Sequence, residues 1–202
     1  MPPESALLVP GLMLDITYPI TTQRLLIRPF IQSDLDDLFA FQSREDVTRF
    51  LYWNPRSREE VAEVLKEWMV PPPMDTDGQS LVLAAELQES GRVIGSLFLF
   101  QRSVEHLQGE IGFVFNPGSQ GRGLATEGAA EILRIGFQGL RLHRLSGRCD
   151  ARNQASARLM ERLGMRKEAH LIQNERVKGD WTDELVFAIL AAEWQAQEAG
   201  RA

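Results

Sequence analysis

Residues 110–126 constrain what this chain can fold into more than any other stretch. Glu110-Ile-Gly-Phe-Val-Phe115 reads as a strand, Asn116-Pro117-Gly118 as a turn, and an apolar-periodic helix runs from about Leu124 to Phe137. Between turn and helix lie Gln120-Gly121-Arg122-Gly123-Leu124-Ala125-Thr126. A strand, a glycine-bearing turn and a helix start together expose unpaired backbone N–H groups at the positive end of a helix dipole, which suits a pyrophosphate. Gly121 and Gly123 let a phosphate approach the backbone, because neither carries a Cβ.

Two common phosphate-binding patterns do not fit. A P-loop closes its turn with Gly-Lys-Ser/Thr, and no such triplet is present. A dinucleotide fingerprint needs a third glycine opening the helix, where Thr126 stands. Asp150 does follow the next strand, but the glycine spacing is wrong.

A chain of 202 residues is enough for one well-buried α/β domain and marginal for two. The net charge of −6 argues against non-specific nucleic-acid binding and would weakly attract a cationic or amine-bearing substrate. The single cysteine, Cys149, excludes an internal disulfide and reads as an inert core thiol in a reducing cytoplasm. The first residues lack the basic and apolar regions of a signal peptide, and no apolar run reaches the length of a membrane span. The expectation is a cytoplasmic protein with neither nucleic acid nor membrane as a partner. His106, His143 and His170 are scattered without metal-ligand spacing, so no metal is expected.

Residues 1–19 read as an N-terminal arm, 20–194 as one domain and 195–202 as a tail. Arg24 to Phe30 is strand-like. Ser33-Asp34 is placed to cap a helix carrying Leu35, Leu38, Phe39 and Phe41. Ser57-Arg-Glu-Glu60 is a capping box opening a second helix, which Pro71-Pro72-Pro73 stops. Leu81 to Leu87 and Arg92 to Phe100 form a hairpin around Ser90-Gly91. A strand over 144–149 follows the glycine-loop helix, and such a crossover implies right-handed parallel pairing with 110–115. A short helix from about 155 to 163 leads to strands near 165–177 and 183–190, turned by Lys178-Gly179-Asp180. The fold class is α/β (α+β), with a mixed, mostly antiparallel sheet of about seven strands and flanking helices.

Gln120, Gly123 and Ala125 meet the pattern Gln/Arg-x-x-Gly-x-Gly/Ala, which resembles the acetyl-CoA loop of the GNAT-superfamily N-acetyltransferases. Asn153-Gln-Ala-Ser156 and the segment ending in Leu163-Gly164-Met165 resemble that superfamily's second signature, with Asn153 a good N-cap and Gly164 a good helix terminator. Thr22-Gln-Arg-Leu-Leu-Ile-Arg-Pro29-Phe and Trp181 to Leu190 resemble the RimJ/RimL branch, which acetylates protein N-termini. The resemblance implies that the strands at 110–115 and 144–149 splay into a cleft admitting the pantetheine arm of acetyl-CoA. It also implies an amine acceptor, most directly a protein N-terminal α-amine, with a small-molecule amine or a silent acyl-CoA-binding module as alternatives. The oligomeric state stays open, with a homodimer among the options.

Acyl transfer from a thioester needs a neutral amine, a braced carbonyl and a leaving thiolate, and positioning alone can supply much of the acceleration. On the resemblance, Gln120, Gly121, Arg122, Gly123, Leu124, Ala125 and Thr126 hold the pyrophosphate. Backbone groups of Phe113, Val114 and Phe115 hold the pantetheine, and an N–H of Phe113 or Val114 braces the oxyanion. Glu110 is the candidate general base and a substrate contact; the alternative is a solvated strand-end carboxylate. Many members place a tyrosine acid where this chain has Met160, which cannot donate a proton. Ser156 is then the candidate catalytic hydroxyl near the cofactor sulfur, with Asn153 beside it. Tyr52, Trp53 and Asn54 match the region walling the substrate side. Among Arg141, Arg144, Arg148, Arg152 and Arg158, one is expected to reach a CoA phosphate.

Overall fold

In the computed structural model, residues 16–200 are described. The expected arm at 1–15 and residues 201–202 lie outside them. Ile16 and Tyr18, at the end of that arm, pack against the main core.

Strands β1 (Ile20–Thr21), β2 (Leu25–Arg28), β3 (Ser80–Leu87), β4 (Arg92–Ser103) and β5 (Gln108–Phe115) form an antiparallel run. Strands β6 (Arg144–Asp150), β7 (Arg166–Val177) and β8 (Asp180–Leu190) complete an eight-stranded sheet in the order β1-β2-β3-β4-β5-β6-β8-β7. The strand beyond the expected seven comes from the lone pairing of Ile20–Thr21 with Leu26–Ile27, too short for a sequence pattern. β3 and β4 are apolar on both faces, as strands covered by helices on each side must be.

Among the described residues, the β5–β6 pair is the single parallel junction, as the crossover predicts. Its register runs only from Gln108↔Arg144 to Ile111↔Gly147. Beyond that rung the strands part, while Gly112–Phe115 stay paired to β4 on their other side. The splay therefore has a sharp start, at Gly112 on one strand and Arg148 on the other.

Helices cover both faces. Helices α1 (Leu35–Gln42), α2 (Glu45–Thr48) and α3 (Arg58–Trp68) lie over one, where Phe30, Leu38, Phe41, Val61 and Leu65 pack with Val82, Phe98 and Val114. Helices α4 (Leu124–Arg134), α5 (Gln154–Arg162) and α6 (Ala191–Ala199) lie over the other, with Leu124, Ile132, Met160 and Trp194 against Leu97, Ile111, Leu145 and Phe187. The expected helix end near Phe137 becomes a π-helical turn over Ile135–Gly139. The anticipated tail is mostly α6, whose buried Trp194 meets Phe137 at a ring-centroid distance of 5.4 Å.

Local side-chain caps explain two of the helix starts, those of α3 and α5. Ser57 Oγ accepts from the Glu60 amide at 3.2 Å and Glu60 accepts from the Ser57 amide at 2.8 Å, the reciprocal capping box. Asn153 Oδ1 accepts from the Ser156 amide at 3.2 Å, and Gly164 ends α5 with φ +81°. Asp34 departs from expectation: it makes no side-chain cap to α1. Its carboxylate instead takes Arg28 Nη1 and Nη2, at 2.8 and 2.9 Å, and the Ile31 amide at 2.8 Å. A mostly buried guanidinium needs carboxylate partners, and Asp34 with Glu86 supplies them.

Candidate active site in the β5–β6 cleft

The splay between β5 and β6 opens a cavity of about 580 Å³, within the range of small-molecule sites. Phe113, Val114 and Phe115 line it from β5. Gln120, Gly121, Gly123, Leu124, Ala125 and Thr126 line it from the loop and the start of α4, and Asn153, Ser156 and Leu159 from α5. Asp46, Val47, Phe50 and Leu51 close another side from α2 and the turn after it.

The loop geometry follows from its glycines. Gly121 and Gly123 adopt φ +74° and +78°, a region that side-chain-bearing residues rarely enter. Gly123 is the N-cap of α4 and offers no side chain to its orphan amides. Within the described residues, no hydrogen bond engages the N–H groups of residues 121–126; the first paired amide is Glu127, donating to Gly123 O at 3.0 Å. Unpaired amides, a helix dipole and a cavity thus converge on one spot, a fit for a pyrophosphate. The β6-facing edge of Gly112–Phe115 is a second row of unpaired backbone groups beside the same cavity.

Several expected residues sit elsewhere. The Arg122 side chain turns outward, 3.5 Å from Glu89, and does not line the cavity. Nor do Arg141, Arg144, Arg148, Arg152 or Arg158. Arg144 pairs with Glu168, and Arg152 with Asp150 at 2.6 Å. The basic residue that does line it is Arg162, whose Nε lies 3.3 Å from Thr126 Oγ1. Its place as the last residue of α5, facing α4, is the signal that sequence reading passed over. Met160 is 1% exposed beneath β6, and a Cβ at Gly147 would lie 2.7 Å from its sulfur. It fills the core and does not line the cavity, whereas Ser156 does.

Glu110 lies on the opposite face of the sheet from α4 and α5, in register with Phe100 and Ser146, just before the splay. Its Oε1 is 3.0 Å from Arg102 Nη2, and its Oε2 accepts from Arg102 Nε and Arg148 Nε at 3.1 Å each. Arg148 also reaches Glu184 at 3.2 Å and Glu175 at 3.7 Å. Glu184 takes a further bond from Asn174 Nδ2 at 2.9 Å. Burial pushes the Glu184 carboxyl above the ordinary glutamate range despite the nearby Arg148. Tyr52 joins this network, its hydroxyl donating to Glu175. Trp53 does not; its ring lies under the Arg56 guanidinium, 4.8 Å from the centroid, and packs on the α1–α3 core. Sequence reading missed Glu175 and Glu184, which become a group with Glu110 only when three strands converge.

Burial pushes the Cys149 thiol up to about 12, which keeps it protonated and unreactive. His170 pairs with Asp183 at 3.1 Å. Among the described residues no helix is long and apolar enough to cross a membrane.

The family profile described as acetyltransferase (GNAT) domain matches residues 24–166. The chain is 33% identical over 175 residues to the uncharacterized N-acetyltransferase YnaD of Bacillus subtilis, covering 87% of this chain and 98% of that one. A GNAT-family acetyltransferase from Bacillus anthracis superposes with a TM-score of 0.76 at 28% identity, over 86% of this chain and 98% of the other. A GCN5-related N-acetyltransferase from Brucella melitensis gives 0.76 at 29% identity, over 89% and 81%. The protein is an N-acetyltransferase that belongs to the GNAT family.

Proposed function

We propose that the protein transfers an acetyl group from acetyl-CoA, held in the β5–β6 cleft, to a primary amine that approaches from the Glu110 face of the sheet. The observation that carries this is the convergence of two unpaired backbone rows, residues 121–126 and the edge of 112–115, on one cavity. The first suits a pyrophosphate and the second an extended amide-bearing chain. Acetyl-CoA supplies a thioester, which is activated for acyl transfer and needs little acid help because a thiol has a pKa of about 8.5.

The residues of this chain then orient and deprotonate. An N–H at Phe113 or Val114 braces the carbonyl oxygen as charge develops on it. Ser156, cavity-facing and at the start of α5, is suited to hydrogen-bond the departing sulfur. Glu110, directly or through water, accepts the proton that the amine loses. Before it can do so, a guanidinium partner must yield to the acceptor. Glu110, Glu175 and Glu184 present three carboxylates against the two cations Arg102 and Arg148, so the acceptor side attracts a positively charged amine.

The acceptor we favour is a protein N-terminal α-amine, on the resemblance of Thr22–Phe30 and Trp181–Leu190 to the RimJ/RimL branch. An α-amine has a pKa near 7.7–8.0 against about 10.4 for lysine, so a useful fraction is already neutral. The carboxylate group favours a second reading, a polyamine. A relative 23% identical over 171 residues is the spermidine N(1)-acetyltransferase of Escherichia coli. CoA release measured against peptides with free N-termini, the same peptides blocked but carrying lysine, and spermidine separates the two. The N-terminal reading requires the free peptides to be used best; preferential use of spermidine overturns it in favour of the second. Binding of acetyl-CoA without release against the whole panel would leave a silent binding module.

A further inference from the structure

Arg24 belongs to none of the residues assigned to the cofactor above, yet its side chain holds the cofactor loop in place. It sits just before β2, nearly a hundred residues ahead of the loop. Its Nη1 donates to the Arg122 carbonyl at 2.7 Å, while Nε and Nη2 take Glu127 Oε2 at 2.8 and 2.7 Å. The Arg24 amide and Thr22 Oγ1 both donate to Glu127 Oε1, at 2.8 and 2.6 Å. The loop is therefore gripped on both sides of Gly123: at the carbonyl before it and at the first paired residue of α4 after it.

We propose that Arg24 is a positioning residue for the pyrophosphate loop, fixing the Arg122–Gly123 peptide plane so that the amides which follow stay free for the ligand. In a trans peptide the carbonyl and the next N–H point in opposite directions. With the Arg122 carbonyl drawn to Arg24, the Gly123 N–H points away from it, and Gly123 lines the cavity. Glycine at 121 and 123 leaves this loop free to choose many other conformations, and no side chain of its own caps α4. A charge-assisted fork from the turn before β2 removes that freedom before the ligand arrives. Lysine could supply the charge but not the fork, which must reach the Glu127 carboxylate and the Arg122 carbonyl together.

This rests on residues 120–126 being the pyrophosphate loop, and the test separates the two ideas. Affinities for CoA and for pantetheine, which lacks the pyrophosphate, are measured by ligand-detected NMR titration on the full-length protein and on Arg24→Met, Arg24→Lys and Glu127→Gln. Arg24→Met should weaken CoA about tenfold or more and leave pantetheine unchanged. Arg24→Lys and Glu127→Gln should fall between it and the wild type, and they carry the test if Arg24→Met does not fold. Equal weakening of both ligands would reduce Arg24 to general scaffolding and overturn the proposal. So would unchanged CoA affinity in all three variants. A wild-type protein that binds pantetheine as well as CoA would instead sink the loop reading itself, before any variant is compared.

Discussion

Arg148 Nη1 stands 3.2 Å from Glu184 Oε1, a carboxylate whose side chain is only 6% exposed. One cation from β6 thus serves a carboxylate from β8 and, through Nε, Glu110 from β5. Burial nevertheless prevails at Glu184 and raises its folded-state pKa above the unfolded one. In the interval between those values the folded state binds more protons than the unfolded state, so stability falls as pH rises through it. Glu184→Gln cannot titrate. Its melting temperature relative to wild type should therefore climb as pH increases from the ordinary glutamate range upward, and level off above. A flat difference across paired melts from pH 4 to 8 would show that Arg148 fully offsets the burial.

Glu110→Gln should lower kcat by about 10²–10⁴-fold while leaving acetyl-CoA affinity nearly unchanged. Glu110 does not line the cavity, so the substitution leaves the site assigned to CoA unaltered. The deficit should shrink at high pH, where the amine deprotonates unaided. Steady-state rates across a pH series with the best acceptor check this, and an unchanged rate near neutrality removes Glu110 from proton transfer.

Saturating acetyl-CoA should stabilise the wild-type protein by roughly 2.7 kcal/mol at about 100 times its Kd, and Gly123→Val should abolish the gain. A Cβ at Gly123 would meet nothing closer than Arg24 Nη2 at 3.6 Å, so the penalty is conformational: valine resists φ +78°. Ala125→Gly should keep the gain. Thermal shifts with and without ligand decide, and a full shift in the valine variant moves the cofactor away from this loop.

Gly147→Ala should cost about 1–3 kcal/mol, because the new methyl would lie 2.7 Å from Met160 Sδ and 3.5 Å from Ile111. That corresponds to a drop in Tm of roughly 2–4 °C per kcal/mol in a chain of this size. Gly147→Ala combined with Met160→Ala should recover part of the loss. An unshifted single variant would show that the Met160 side chain moves aside freely.

The parts of this protein legible in its sequence are those written in neighbouring residues. The strand–turn–helix of 108–134, the Ser57–Glu60 box and the Asn153 cap each lie within a few positions, so propensity and spacing suffice. Asp34 shows the limit: a carboxylate before a helix looks the same whether it caps or answers Arg28, and only the folded β2–β3 pair brings Glu86 to complete the second choice. Glu184 and Glu175 were invisible for a related reason. Along β8, Thr182, Glu184, Val186 and Ala188 share a face, but the partner that makes Glu184 chemically interesting arrives from β6. Arg24 belongs with them, its role set by a loop far along the chain.

Among the described residues, the four rungs from Gln108↔Arg144 to Ile111↔Gly147 are the only strand ladder joining β1–β5 to β6–β8. Mechanically this is a seam, perforated along half its length. An extended ligand chain bonded to the free edge of Gly112–Phe115 would lengthen the seam and tie the two sheet halves into one cooperative unit. Amide hydrogen exchange should therefore slow on β6 and β8 together with β5 when CoA is added, although β8 touches no part of the cavity.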